Sequence, residues 1–192
     1  VDTSNAVTMG NGVAVTAGGD VTVQADSTVQ TTGTADGGSG SFIDIAAADG
    51  DSTLEDTSSV SIGDTTSVSA VGDVVVQALH DVDVDIDASV DSGGVGSNAD
   101  THTTVTVTTA TTVDVGAAAF EGARITLKSV VEDIDIDIVA EAESGAIGAD
   151  TDATATLSTT SEAEVTVGSG AALTAERQVT IGTYHDRIDA DS

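Results

Sequence analysis

Apolar and polar residues alternate with a period of two along much of this chain. In DVDVDIDASV (81–90), aliphatic residues alternate with carboxylates, and EDIDIDIVAEAE (132–143) repeats the pattern. Residues of one parity share one face of a β-strand, so the aliphatic side chains lie on one face and the carboxylates on the other. No segment has the spacing typical of an amphipathic helix. The pattern therefore predicts β-strands with one buried face and one solvated face.

The pattern recurs with a period of about 53 residues. The segment AVTMGNGVAVTAGGDVTVQA (6–25) aligns with SVSIGDTTSVSAVGDVVVQA (59–78), and residues 82–116 align without gaps on 134–168 at an offset of 52. A glycine follows the first strand of each unit, with spacings of 53, 53 and 52, at Gly10, Gly63, Gly116 and Gly168. A repeat of this length indicates units that bury each other's apolar faces.

These features predict an all-β fold, a parallel β-helix (β-solenoid) in which each strand pairs with its equivalent in the next coil. A coil of ordinary strands and turns takes about 18 to 27 residues, so we expect two or three coils per 53-residue repeat. Ig-like sandwiches need about 100 residues per domain, which the period does not match. The chain is then a single solenoid segment of a longer array, with approximate units 1–20 (partial), 21–73, 74–124, 125–178 and 179–192 (partial).

The composition limits the classes of function. The chain has 33 acidic and 4 basic residues and a formal charge of -29, so we expect no nucleic-acid partner and no attraction to anionic lipid. No run approaches the roughly 18 apolar residues of a membrane span. The absence of cysteine excludes disulfides and thiolate metal sites.

The acidic rows are the candidate metal site. If Asp83 stacks on Asp135 and Asp85 on Asp137, neighbouring carboxylates repel by about 0.9 kcal/mol at a spacing of about 4.8 Å in water. Either they are solvated faces screened by salt, or Ca²⁺ bridges them between coils. The chain has no calcium-binding nonapeptide and no EF-hand loop. The candidate Ca²⁺ ligands are Asp81, Asp83, Asp85, Asp87, Asp133, Asp135 and Asp137, with the corner residues Asp91, Asp100, Asp150 and Asp152 as alternatives.

Threonine rows form a second candidate surface. HTTVTVTT (102–109) stacks on the strand near 154–159 in this scheme, which pairs Thr104 with Thr156 and Thr106 with Ser158. A flat array of threonines can order water, so ice binding is a minor alternative. Threonine is otherwise simply a good strand former.

No catalytic constellation is recognisable, and we expect no enzyme activity. The three histidines, one per unit, occur at positions that we interpret as non-equivalent and on the surface, and none has a partner at metal-ligand or nucleophile spacing: His80, His102 and His185. Arg124 and Lys128 stand where the preceding unit has Asp73 and Gln77. Such cations can pair with acidic residues of an adjacent coil or of an adjacent molecule, or they form isolated surface pairs worth under about 1 kcal/mol.

Several segments carry a family resemblance: GDVTVQA (19–25), GDVVVQA (72–78), TTVDVG (111–116) and EVTVGSGAALTAERQVTIG (164–182). Together they resemble the haemagglutinin-type repeats of giant secreted bacterial surface proteins, the filamentous haemagglutinin and leukotoxin-like adhesins. The resemblance implies a right-handed parallel β-helix in an extracellular or cell-surface stalk and carries over no catalytic residues. The acidity of this chain departs from the usual pattern.

The functional expectation is a structural role, as the stalk, sheath or filament of a bacterial or archaeal surface adhesin or matrix protein. We expect self-association into fibres by end-to-end or lateral stacking, because exposed coil ends carry unpaired backbone groups. The alternative is a binding module that recognises glycans or a host or cell surface.

Overall fold

The computed structural model describes residues 1–40 and 44–191, which form β-strands joined by turns. The described residues include no helix with the length and hydrophobicity of a membrane span. The strands are β1 (Asp2–Met9), β2 (Ala14–Ala17), β3 (Val21–Gly40), β4 (Asp44–Ile62), β5 (Ser67–Ala70), β6 (Val74–Gly93), β7 (Ser97–Val115), β8 (Ala119–Ser144), β9 (Asp150–Val167) and β10 (Ala172–Asp191).

The strands form two parallel sheets. The first has the order β1-β4-β7-β9, and the second has the order β2-β5-β8-β6-β3 with β10 paired to β8. The first two repeats each have a short strand followed by a long strand in the second sheet, whereas the third and fourth have one continuous strand, β8 and β10. Accordingly β8 pairs with both the short β5 and the long β6. This is an all-β fold with parallel sheets, an arrangement consistent with a β-solenoid.

The pairing register follows the sequence period. Val21 pairs with Val74, and Val74 pairs with Ile125, so each strand lies beside the strand about one repeat further along the chain. Strands within one repeat do not pair with each other among the described residues. The expectation of two or three coils per repeat is therefore wrong, because each 53-residue unit makes a single turn. The main strands of these turns run for about 20 residues, far beyond the usual 5–6 on which the shorter estimate was based.

The two sheets face each other across the core. The apolar side chains form three clusters, and each cluster takes residues from both sheets. The first contains Val60 and Leu127, the second Leu54 and Ile136, and the third consists mainly of alanines. Between the first two clusters lies a layer of polar residues, here called the polar belt, whose side chains are at most 2% exposed: Asp56, Ser58, His80, Thr109, Thr111 and Ser129.

The first and last turns are only half covered. Along one inward column, Val76 and Leu127 in the middle turns are fully buried, whereas Ile181 in the last turn is 49% exposed. The outer edges of β1 and β9 have no strand partner among the described residues. Apolar surface and unpaired backbone are therefore concentrated at the two ends of the stack.

A ladder of side-chain caps joins the turns at one corner. Asn11 Oδ1 accepts a hydrogen bond from the backbone N–H of Asp64 (2.9 Å), and Asp64 Oδ1 accepts one from the N–H of Ala117 (2.8 Å). Each cap occupies the space beside the glycine of the next turn. A Cβ at Gly116 would lie 2.5 Å from Asp64 Oδ1, and one at Gly63 would lie 2.8 Å from the backbone nitrogen of Asn11. This close approach explains the recurring glycine of the sequence.

Candidate functional site

The predicted acidic rows form a ladder on the outer face of the second sheet. Asp81, Asp83 and Asp85 of β6 pair in register with Asp133, Asp135 and Asp137 of β8. Their inward neighbours, the aliphatic residues of the second core cluster, are buried, whereas Asp83, Asp85, Asp135 and Asp137 are exposed. The stacking of Asp83 on Asp135 and of Asp85 on Asp137 is confirmed. Asp87 pairs with Val139 and so has no acidic partner across the ladder.

The acidic ladder extends into the last turn but not into the first. Asp189 and Asp191 of β10 pair with Asp135 and Asp137. In the first turn the equivalent positions are Thr28, Gln30 and Thr32, and the amide of Gln30 donates a hydrogen bond to Asp83 Oδ2 (2.8 Å). The ladder is therefore acidic over three turns and neutral in one.

Arg187 is the only cation of the described residues that makes an ion pair within this ladder. It pairs in register with Asp133, with 3.8 Å between Nη1 and Oδ2, and its Nη2 donates to Asp189 Oδ2. The hydrogen bond to Asp189 raises the pKa of Arg187, and the same hydrogen bond lowers the pKa of Asp189. Both groups are solvent-exposed, so the pair is screened and locally compensates the acidic row.

The structure also places the alternative corner aspartates. Asp100 pairs with Asp152, Asp150 pairs with Asn98, and Asp91 pairs with Glu143. These residues lie at strand ends beside the glycine-rich segments. Over residues 1–40 and 44–191, no group of three or more histidine, aspartate or glutamate side chains has an arrangement that could hold a metal ion. Calcium binding by the rows or the corners stays a prediction.

The threonine rows pair as expected. Thr104 lies beside Thr156, and Thr106 lies beside Ser158. Threonines of the opposite parity on β7 point into the core, where Thr103, Thr109 and Thr111 are at most 1% exposed. The threonines of this strand thus serve both faces, and only half of them form an outward array.

Arg124 and Lys128 are exposed or half-buried on the outer face of β8. Arg124 Nη1 lies 3.3 Å from Asp73 Oδ2 of the preceding turn, and Lys128 pairs in register with Gln77. The predicted ion pair between adjacent turns is confirmed for Arg124. Since its side chain is 52% exposed, it contributes at most about 1 kcal/mol to stability.

The polar belt contains a buried polar cluster that was not predicted from the sequence. Asp56 of β4 and His80 of β6 face each other across the core, with 2.5 Å between Oδ2 and Nδ1 and both side chains fully buried. Two hydroxyls of the first turn complete the cluster: Thr3 and Ser27 donate to Asp56 Oδ1 at 2.5 and 2.9 Å. The interpretation of His80 as a surface residue is therefore wrong. The signal was the strand alternation, since His80 has the inward parity of Ala78 and Val82.

The histidines are also not all at unrelated positions. Ser27, His80, Val131 and His185 form one column across the four turns. The sequence hides this relation because the pairing register between turns shifts twice. One shift lies between His80 and Asp81, opposite Glu132, and the other lies between Ala175 and Gln178. His185 is exposed in the last turn, and His102 lies outside this column on the outer face of β7.

No family model matches this chain, and no match was found among curated proteins or solved structures.

Proposed function

We propose that this chain is a structural β-solenoid segment of an extracellular surface protein, serving as part of a stalk, sheath or filament. The observation that carries the proposal is the parallel pairing of each 53-residue unit with the next, which stays in register over as many as 20 consecutive residues. Such pairing lengthens the molecule by one strand spacing per unit. The bacterial or archaeal adhesin context rests on the resemblance of the repeats.

The surface supports a mechanical role better than a catalytic one. The outward faces are dominated by carboxylates and hydroxyls, and the formal charge of -29 keeps molecules apart laterally. The buried Asp56–His80 pair has no access to solvent, so it cannot act on a substrate. We therefore expect no enzymatic activity. We also expect the protein to be located at the cell surface.

The two end faces of this segment suit stacking along the solenoid axis, by further repeats or by a second copy, better than its sides suit lateral association. All four cations occur from Arg124 onward, so the first two turns contain only acidic charges. The last turn offers Arg177 and Arg187 together with half-exposed apolar residues such as Ile181. A first turn stacked on this face would place neutral Gln30 and Thr28 beside Asp189 and Arg187, as Gln30 already lies beside Asp83.

Electron microscopy and sedimentation of the purified chain test the proposal. Fibres or linear oligomers with a uniform width support it, and a monomer at all concentrations and salt conditions contradicts it. The variant Ile181→Lys places a charge on the inward face of the last turn and should abolish end-to-end association. Val71→Lys is the matched control, because Val71 is 76% exposed on the side of the stack and its replacement should leave association unchanged.

A glycan-binding module is the second candidate. Tyr184 is 48% exposed and lines an outward groove with Lys128, Val130, Glu132 and Asp186. An exposed tyrosine offers an apolar ring and a hydrogen-bonding hydroxyl to one ligand. Binding of the monomer to a carbohydrate array, lost in Tyr184→Ala, would favour this function over the structural one.

A further inference from the structure

The Asp56–His80 pair is a buried titratable pair that the structural role does not explain. Asp56 accepts from Thr3 and Ser27 through Oδ1, and its Oδ2 lies against His80 Nδ1. Thr3 and Ser27 belong to the first turn, whereas Asp56 and His80 belong to the second. The carboxylate is thus the point at which polar groups of two turns meet inside the core.

The surroundings of the imidazole favour its neutral form. Nδ1 lies 2.5 Å from Asp56 Oδ2 without forming a well-aligned hydrogen bond, and Nε2 is buried and has no hydrogen-bond partner. An unpartnered lone pair is tolerated more easily than an unpartnered N–H on a charged ring, because the buried charged donor pays the larger desolvation cost. Protonation at Nε2 therefore opposes the packing around it.

We propose that Asp56 and His80 form an acid-sensitive latch that holds the first turn against the second. At neutral pH the neutral imidazole and the carboxylate sit together in the dry core, with the hydroxyls of Thr3 and Ser27 drawn onto the same carboxylate. On acidification, His80 takes up a proton at Nε2, and the contact opens so that water can solvate the ring.

The charged and titratable groups around the ring are few. Asp56 faces it from β4, and Asp81 follows it on β6 with an outward side chain. On the flanking strands its column neighbours are uncharged: Ser27 on β3 and Val131 on β8. The residues that β7 contributes to the polar belt, Thr109 and Thr111, are also uncharged, as is Thr3 of β1. The titration therefore depends on burial and on two carboxylates.

These influences act in opposite directions, and burial dominates. Burial lowers the pKa of His80, while Asp56, and more weakly Asp81, raise it. A histidine whose pKa is lower in the folded state gives its full stabilisation above the unfolded value of about 6.5, and this stabilisation is lost as pH falls below that value. The latch thus weakens at mildly acidic pH.

The next turn supplies a matched control. At the equivalent positions it has Thr109 in place of Asp56 and Val131 in place of His80, and both are buried. The double variant Asp56→Thr/His80→Val therefore replaces the pair with residues that already occupy these positions one turn away. His80→Gln keeps an amide donor but does not titrate, and it serves if the double variant does not fold.

Native-state hydrogen exchange between pH 7.5 and 5 tests the latch. In the unmodified chain the opening constant of the β1 and β4 amides should rise by up to about tenfold per pH unit below pH 6.5, the limit for uptake of one proton. The double variant and His80→Gln should lack this rise. The control His102→Asn/His185→Asn should keep it, because both histidines are already exposed. Amides of β7 and β9 serve as the internal reference.

Two results would overturn the proposal. One is an equal pH dependence in the unmodified chain and in the variants without His80. The other is a gain of β1 and β4 protection on acidification relative to those variants, which would mean that a charged imidazole pairs with Asp56 and strengthens the contact.

Discussion

Replacing Gly63 with alanine probes the corner ladder that joins the turns. The added Cβ would lie 2.8 Å from the backbone nitrogen of Asn11 and 2.8 Å from the carbonyl carbon of Gly10, and closer still to Asn11 Oδ1. Real Cβ atoms do not approach other atoms so closely, so the corner of the first turn must shift. The shift displaces the side chain that caps the N–H of Asp64.

The magnitude follows from three contributions. Overpacking costs about 1–3 kcal/mol, and the lost cap costs about 1 kcal/mol. The lower entropy of the unfolded alanine chain offsets about 0.4–1 kcal/mol. We expect a net loss of about 2 kcal/mol in the free energy of unfolding. Gly18 has no atom within 4 Å of an added Cβ and no positive φ, so Gly18→Ala should be neutral or stabilising by up to about 1 kcal/mol.

Urea unfolding followed by far-ultraviolet circular dichroism measures both variants, and hydrogen exchange locates the effect. Exchange should quicken at the N–H of Asp64 and in β1 in the Gly63 variant alone. Asn11→Ala should lose only the cap, and the double variant Asn11→Ala/Gly63→Ala should recover part of the difference, since one of the clashing atoms is removed. Equal stability of the Gly63→Ala and Gly18→Ala variants would refute the ladder as the reason for the recurring glycine.

Two further predictions concern the core and the acidic ladder. Leu127→Ala removes a fully buried side chain and should lower the free energy of unfolding in urea by about 2–5 kcal/mol. The control Val71→Ala, at a position 76% exposed, should change it by at most about 0.5 kcal/mol. Equal losses in the two variants would contradict the assigned inward faces. Asp135→Asn relieves repulsion from Asp83 and Asp189 and should raise the melting temperature in low salt but not in molar NaCl. If Ca²⁺ bridges the ladder, millimolar CaCl₂ should raise the melting temperature more than NaCl of equal ionic strength, and Asp135→Asn should reduce that excess; equal effects of the two salts would rule out bridging.

Where two units align without gaps, the sequence was sufficient to predict which residues stack on which. Constant offsets located the pairing of Val82 with Ile134 and of Asp83 with Asp135, because an in-register stack repeats both the inside and the outside of every strand. The number of turns per unit was not predictable in the same way. The repeat period shows which residues of successive units are equivalent. The number of residues in one turn depends instead on strands of about 20 residues, a strand length that no local propensity specifies.

The buried pair shows a different limit. Alternation alone gives Asp56 the inward parity of Leu54 and Val60, and gives His80 that of Val76 and Val82, so burial of each was within reach of the sequence. The contact between the two side chains could not be predicted, because β4 and β6 belong to different sheets and the contact arises only where the two sheets face each other. The equivalence of His185 was hidden by the register shifts in β8 and β10.

The single turn per unit determines how the molecule would respond to tension. The hydrogen bonds between turns point along the stacking direction, so a pull on the two termini loads the outermost ladder one bond at a time instead of all at once. Turns should therefore peel away singly at modest force. Each would release 53 residues, or about 180 Å of extended chain, and such a segment would act as an extensible spring with evenly sized steps.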